Sequence, residues 1–283
     1  NRGQAVCSFG IENKDHPILE LQAPNKAYQH VHLKGFRTFI NGFRENEKWG
    51  VEFFSPWNAE DVHRRMFIGM NEVEIHEINH ALEYQVNILY VTLPNEPFSG
   101  LVRKICIKNL GSTPLKLEIL DGLPGIVPYG VDNGALKNIS RTIEAWMHVD
   151  NLENKLPFYR LKAPPGDTAE VHAIHAGNYA FAFHEDELMP VIGDPSVIFG
   201  MDKGQAKAHL FHQKGLKEIL SAEQILEGRT LCAFFGAEIR LEPDAENVLT
   251  SVYGYSEDYP TIQSRVKKIL SPGYIAGKII ETR

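Results

Sequence analysis

The chain has 283 residues, of which 43% are hydrophobic and 23% are charged, and its formal net charge is -7 at pH 7. This composition predicts a folded protein with a sizeable core and excludes an intrinsically disordered chain. The acidic balance argues against a surface for nucleic acid or for anionic membranes, because both need clustered Lys and Arg.

The first chemically distinctive segment in chain order contains two tryptophans. Pro56 stands beside Trp57 and predicts a loop there. An exposed aromatic ring can stack on the apolar C–H face of a sugar, so Trp57 is a candidate carbohydrate platform. Trp49 stays open between core packing and ligand binding.

Residues 76–80 read His-Glu-Ile-Asn-His and match the HExxH pattern of zinc proteases. That chemistry needs a helix, which places both histidines on one face. The flanking residues 73–75 and 82–86 instead have the composition of a strand, in which positions i and i+4 lie roughly 13 Å apart. We therefore predict an extended segment that binds no zinc.

Apolar residues recur at every second position in several further runs, which predict strands with one buried face each. The runs are 84–90, 105–107, 115–119, 179–183 and 231–241. Turn-forming residues separate them, and an alternation of strands with helices is missing from the pattern. The chain is therefore predicted to be mainly β, a two-layer antiparallel β-sandwich.

Residues 121–134 form the most unusual segment, with two prolines and four glycines that predict a defined loop at a strand end. The segment offers Asp121, Tyr129, Asp132 and Asn133. A tyrosine ring can stack on a sugar, and carboxylate and amide groups can bond its hydroxyls. Asp121, Tyr129 and Asn133 are therefore candidate carbohydrate-binding residues, and the alternative is a structural crossover.

Two segments have helical spacing. Apolar residues at 136, 139, 143, 146 and 147 predict one inserted helix over about 135–150, with Trp146 in the core. Apolar residues at 262, 266, 269 and 270 predict a second helix after Tyr259, ended by the Ser-Pro-Gly of residues 271–273. A further apolar segment, 274–280, follows.

The remaining motifs assign no catalytic residue, metal or cofactor. The histidine pairs at 30 and 32, 172 and 175, and 209 and 212 are possible ligand pairs or general bases, without a third partner that would define a site. No nucleophile elbow, P-loop or dinucleotide fingerprint occurs. Three widely spaced cysteines and no apolar stretch of roughly 20 residues predict a cytoplasmic protein.

Several strand motifs carry a family resemblance. They are Val-Thr-Leu-Pro at 91–94, Val-Arg-Lys-Ile-Cys-Ile-Lys-Asn at 102–109, Pro-Leu-Lys-Leu-Glu-Ile-Leu at 114–120, Ala-Glu-Ile-Arg-Leu-Glu-Pro at 237–243 and Val-Tyr-Gly-Tyr at 252–255. With these motifs the chain resembles the N-terminal domain of inverting sugar phosphorylases of glycoside hydrolase family 94. Residues 121–154 look most like the 1,2-β-oligoglucan phosphorylase branch of that family, and less like cellobiose phosphorylase.

The resemblance implies a galactose-mutarotase-like supersandwich over residues 1–258 and the start of a helical linker over 259–283. It also implies a catalytic (α/α)6 barrel in the same polypeptide, which holds the general acid and the phosphate site. This chain would then be a noncatalytic module that shapes the cleft for a β-glucan oligosaccharide and supports a homodimer. The alternative is a freestanding aldose 1-epimerase-like or carbohydrate-binding protein, so the chain's status as an enzyme stays open.

Overall fold

The computed structural model of the chain describes residue 19 and residues 24–45, 47–57, 61–131, 133–164 and 173–283. The strands in these ranges are β1 Arg37–Arg44, β2 Glu47–Glu52, β3 Val62–Ile68, β4 Glu72–Asn79, β5 Tyr84–Thr92, β6 Ser99–Asn109, β7 Leu115–Ile126, β8 Met147–Asp150, β9 Phe158–Leu161, β10 Gly177–His184, β11 Glu187–Leu188, β12 Val191–Ile192, β13 Leu231–Leu241 and β14 Glu246–Ser256. The helices are α1 Pro24–Lys34, α2 Asn133–Asn138, α3 Ser140–Trp146, α4 Ser196–Phe199, α5 His209–Lys214, α6 Leu216–Leu220, α7 Tyr259–Ile269 and α8 Tyr274–Thr282, with a 3-10 turn at Leu152–Asn154.

The strands form two antiparallel sheets, which confirms the predicted two-layer sandwich. One sheet has the order β12-β13-β7-β1-β2, and the other has the order β3-β4-β5-β6-β14-β10-β9-β8, with β11 beside β10. The inward-facing apolar residues of both sheets form the main core, which includes Ile88, Ile105, Leu117 and Phe235. Every second residue of a strand therefore supplies this core, as the period-two pattern predicts.

Helices cover the outer face of the smaller sheet. Cys232 and Phe234, which alternate with the inward residues of β13, pack with Ile198, Phe211 and Ile219 from α4, α5 and α6. This part of β13 is thus buried on both faces. The short helices α4 to α6 are additions to the fold that the sequence pattern does not predict.

The C-terminal helices pack on the outer face of the larger sheet. Ile262 and Val266 of α7 contact a cluster that includes Phe181 and Val252. The buried carboxylate of Glu96 accepts a hydrogen bond from the Tyr274 hydroxyl at 2.5 Å, and the Lys278 ammonium lies 3.0 Å from it. The helix predicted after Tyr259 is confirmed as α7, the apolar segment after it forms α8, and the role of residues 259–283 as a linker stays a prediction.

The helix predicted over 135–150 is shorter than expected. Residues 133–146 form α2 and α3, separated at Ile139, whose φ of -134° is not helical. Met147 and Val149 are buried while His148 and Asp150 are partly exposed, and these four residues form strand β8 paired with β9. The apolar spacing at 143, 146 and 147 fits a helix, but the period-two spacing that starts at 147 decides the local structure. Trp146 is only partly buried, against a small satellite cluster.

In the described part of the chain, no helix is long and apolar enough to cross a membrane.

Candidate functional site

Asp121 lies in the interior of the sandwich. It is 3% exposed, and its Oδ1 accepts a hydrogen bond from Thr38 Oγ1 at 2.7 Å. The guanidinium of Arg103, from the opposite sheet, donates to the same oxygen, and to Thr38 Oγ1 at 2.9 Å. The three side chains, Thr38, Arg103 and Asp121, form an interior cluster that joins the two sheets. Because these partners and the burial close off its carboxylate, Asp121 leaves the set of candidate sugar-binding residues.

Tyr129 lies at the end of strands β10 and β14. Its ring packs against Tyr255 at a centroid distance of 4.2 Å, and its backbone N–H donates to Asn178 Oδ1 at 2.6 Å. The loop that carries it is therefore tied to the larger sheet. Asp132 and the side chain of Asn133 lie outside the described residues.

Trp57 lies near the edge of the larger sheet that strand β3 forms. Its side chain is 78% exposed, in the loop between β2 and edge strand β3. Arg64 of β3 donates to the backbone oxygen of Ser55 in that loop at 2.7 Å. Trp49, in contrast, is partly buried and stacks on Tyr84 at 6.1 Å. The structure thus does not bring Trp57, Asp121 and Tyr129 together into one site.

The HExxH segment is extended, as predicted, because residues 76–79 belong to β4. Glu77 is fully buried, its Oε2 is 2.7 Å from Arg64 Nε, and its Oε1 accepts from the Tyr84 hydroxyl at 2.9 Å. Burial raises the pKa of Glu77, and Arg64 and the hydrogen bonds counteract that rise. His76 lies on the opposite face, with Nε2 2.7 Å from Glu74 Oε1. The segment therefore ties β4 to its neighbours β3 and β5 through Glu77.

Within the described ranges, no group of three or more His, Cys, Asp or Glu side chains is arranged to hold a metal ion. The histidines at 30 and 32 lie on helix α1, where residues two positions apart do not face each other. His212 of α5 lies 2.8 Å from Asn41 Oδ1 through its Nδ1 and packs on the smaller sheet.

A cleft of about 600 Å³ lies beside the edge strand β8, its neighbour β9 and the start of α7. We call it the β8–β9 cleft. Its lining residues come from four separate segments of the chain and are Val149, Asp150, Asn151, Leu152, Glu153, Phe158, Arg160, His175, Leu226, Asp258, Tyr259 and Pro260. The volume is in the range of small-molecule sites, and the lining combines apolar and aromatic side chains with a few charged groups.

One wall of the cleft is a paired charge network on β8 and β9. Arg160 donates to Asp150 Oδ2 through Nη2 at 2.7 Å and through Nε at 3.2 Å. Its Nη1 donates to the backbone oxygen of Ile174 at 3.0 Å. His148 Nε2 is also 3.2 Å from Asp150 Oδ2. These contacts hold the Asp150 carboxylate in a fixed orientation at the rim.

The opposite wall is the N-terminus of α7. Asp258 is the N-cap residue, and its Oδ1 accepts the Thr261 backbone N–H at 2.8 Å. The hydrogen bonds from Thr261 lower the pKa of Asp258, and the neighbouring His175 lowers it further. Asp258 is therefore ionised at neutral pH, beside an exposed histidine.

An aromatic pair forms the apolar part of the cleft. The rings of Phe158 and Tyr259 meet edge to face at a centroid distance of 5.8 Å. Burial and the nearby Glu153 carboxylate raise the pKa of the Tyr259 hydroxyl, and Asn154 counteracts part of the rise. Tyr259 thus contributes an aromatic ring next to two carboxylates, while its hydroxyl oxygen is buried and has no hydrogen-bond partner among the described residues.

This arrangement can bind a polyhydroxylated molecule, because carboxylates accept hydrogen bonds from hydroxyls while an aromatic ring packs on apolar C–H groups. Sequence reasoning missed the cleft. Its two main segments lie about a hundred positions apart, at 149–160 and 258–260, with no spacing that links them. The one readable signal was the helix start at Asp258, Tyr259 and Pro260, which combines an N-cap residue with an early proline.

No protein-family model and no curated protein sequence matches the chain. Among solved structures, the chain is similar to a bacterial glucoamylase complexed with acarbose, with a TM-score of 0.50 and 9% identity over 99% of this chain and 33% of that one. It is also similar to a polysaccharide lyase, with a TM-score of 0.46 and 13% identity over 90% of this chain and 31% of that one. A galactose mutarotase-like protein from Clostridium acetobutylicum has a TM-score of 0.40 and 9% identity over 86% of this chain and 87% of that one.

The chain thus spans 33% and 31% of the length of the first two proteins. At these low identities the similarity concerns the fold alone. The chain has the antiparallel β-sandwich fold of the matching third of the glucoamylase.

Proposed function

We propose that this chain is a carbohydrate-binding β-sandwich module, and more specifically the noncatalytic N-terminal module of an inverting β-glucan phosphorylase. The observation that carries the proposal is the β8–β9 cleft, with its carboxylates and aromatic pair at the end of a rigid sheet. Such a cleft provides hydrogen-bond acceptors for sugar hydroxyls and a ring for an apolar sugar face.

Two further findings support the proposal. The glucoamylase with a similar fold is complexed with acarbose, and this chain corresponds to 33% of its length. A sandwich of this kind therefore occurs as one part of a longer carbohydrate enzyme. The strand motifs at 91–109 and 237–255, which resemble glycoside hydrolase family 94, point in the same direction.

In the proposed whole enzyme, chemistry takes place in an (α/α)6 barrel of the same polypeptide. A general acid there protonates the glycosidic oxygen, while phosphate attacks the anomeric carbon from the opposite face and gives inversion. The sandwich contributes the rim of the sugar-binding cleft and part of a homodimer interface.

The proposal is tested by titrating the chain with 1,2-β-linked gluco-oligosaccharides, followed by calorimetry and by NMR. We expect saturable binding, which Tyr259→Ala weakens by about two- to tenfold through the loss of ring contact. Tyr28→Ala is a matched control, because Tyr28 is 75% exposed on helix α1. Absence of binding by the unaltered chain would contradict the proposal.

The noncatalytic role is tested separately. The chain is incubated with the same oligosaccharides and inorganic phosphate, and sugar 1-phosphate is measured. We expect no product above background, since the general acid and phosphate site are assigned to the barrel. Product formed by this chain would place the chemistry in the sandwich.

A second candidate function is aldose epimerisation, which needs an acid and a base in one cleft. The specific observation in its favour is that the cleft contains His175 together with Asp258 and Glu153. Polarimetry on freshly dissolved α-glucose and α-galactose distinguishes the two functions. A module leaves the mutarotation rate at that of buffer, whereas an epimerase accelerates it and loses the acceleration in His175→Asn.

A further inference from the structure

The charges in the β8–β9 cleft are not balanced. Three carboxylates, Asp150, Glu153 and Asp258, line it together with one guanidinium, Arg160, and one imidazole, His175. Arg160 is already occupied, because two of its nitrogens donate to Asp150 Oδ2 and the third to the Ile174 backbone oxygen. Among the described residues that line it, the cleft therefore offers an incoming anion no unoccupied guanidinium.

The N-terminus of α7 is another electropositive feature, next to His175, since helix N-termini attract anions. Asp258 occupies this position, with Oδ1 2.8 Å from the Thr261 nitrogen. A carboxylate of the chain itself therefore already caps the N-terminus of α7, where an anion would otherwise bind. Glu153 accepts a hydrogen bond from Asn154 Nδ2 at 3.2 Å, and this donor carries no charge.

We infer that the cleft selects uncharged sugars and rejects sugars that carry carboxylates, such as uronic acids. This inference rests on the proposed carbohydrate-binding function. Hydroxyl groups donate to Glu153 and Asp258, whereas a sugar carboxylate can only accept and brings a like charge next to both. The repulsion from two carboxylates at about 6 Å reduces affinity on the order of tenfold even when water screens it.

The test compares two ligands that differ only in charge. One is a 1,2-β-linked gluco-oligosaccharide, and the other is the same oligosaccharide with its C6 hydroxymethyl groups oxidised to carboxylates. Affinities are measured by calorimetry at low salt and again in 0.5 M NaCl, where the Debye length is about 4 Å. At low salt we expect the neutral ligand to bind more tightly than the oxidised ligand by about tenfold or more. At high salt the difference should be smaller.

The double variant Glu153→Gln, Asp258→Asn removes two charges and keeps the shapes, and Asn retains the capping oxygen at the helix start. We expect it to close most of the gap between the two ligands. The control Glu218→Gln, Glu242→Gln removes the same charge from exposed residues on α6 and after β13. The control should keep the selectivity of the unaltered chain.

Each outcome decides one point. Equal or tighter binding of the oxidised ligand overturns the inference and leaves the carbohydrate-binding function standing. Selectivity that persists unchanged in the double variant, or that falls equally in the control, also overturns the inference, because the cleft carboxylates are then not its source. Failure of the unaltered chain to bind either ligand contradicts the proposed function and the inference with it.

Discussion

Two polar regions of this molecule differ in how completely their charges are paired. In the interior cluster, Asp121 lies between Arg103 and Thr38, closed off from solvent. In the β8–β9 cleft, Glu153 and Asp258 face a cavity of about 600 Å³. A charge whose partners are complete and buried contributes to the stability of one structure, while a charge that faces a cavity is available to a ligand. Interior substitutions should therefore change stability, and cleft substitutions should change binding.

The largest expected effect is that of Asp121→Ala. It leaves the Arg103 guanidinium buried without its carboxylate, which should lower the free energy of unfolding by about 3–5 kcal/mol. Urea denaturation measures this loss. Glu238→Ala is a matched control, since Glu238 pairs with Lys116 at 3.1 Å on the surface and should cost less than about 1 kcal/mol. If Asp121→Ala kept normal stability and selectively weakened sugar binding, the contrast between a structural interior cluster and a binding cleft would be wrong.

The second prediction concerns pH and another enclosed polar group. Burial, and then Lys48 and His209, lower the pKa of His212 to about 4, and its Nδ1 faces Asn41. Below its ordinary pKa the unfolded chain takes up a proton that the folded chain does not, so stability falls as pH decreases from about 6.5 to 4. The expected loss is about 2–3 kcal/mol.

Urea denaturation at several pH values measures this dependence. In His212→Gln the decline between pH 7 and pH 4 should be smaller by the same amount. His63→Gln is the control, because His63 is exposed on β3. If the free energy of unfolding of both variants declines with pH in parallel with that of the unaltered chain, then His212 does not titrate as the structure indicates.

A smaller effect is expected for Tyr129→Ala, which should change both stability and sugar binding. Loss of the ring pair with Tyr255 should cost about 0.5–1.5 kcal/mol, and the backbone bond to Asn178 stays in place. We also expect weaker oligosaccharide binding, since the loop shares its end of β10 and β14 with the cleft. A fall in melting temperature of many degrees without a selective effect on binding would make the loop purely structural.

The smallest expected effect is that of Trp57→Ala. With 78% of the side chain exposed, stability should stay within about 0.5 kcal/mol, and binding at the β8–β9 cleft should be unchanged. The same titrations as for Tyr259→Ala measure it. Binding lost in Trp57→Ala but kept in Tyr259→Ala would move the sugar site to the β3 edge of the sheet.

Much of the fold is predictable because the spacing of apolar residues along a segment shows which face of a strand or helix is buried. The alternation in 231–241 predicts β13, and the strand-like flanks of 76–80 predict β4 against the zinc-protease motif. The prediction failed over 147–150, where helical and strand periods overlap and pairing with β9 decides. The backbone pairing of β8 with β9 outweighs a short apolar spacing that fits a helix and a strand equally well.

The amino-acid sequence by itself determined which residues face inward, where α7 begins and ends, and that the architecture is a sandwich, because these follow from spacing between near neighbours. Only the tertiary structure decided which carboxylates are enclosed and which are open. Asp121 lies in the middle of β7 and Asp258 caps the start of α7, but the residues around each one do not show whether a distant guanidinium reaches its carboxylate. Arg103 reaches Asp121 from the opposite sheet, whereas no guanidinium reaches Asp258 among the described residues. Packing between distant segments sets that difference.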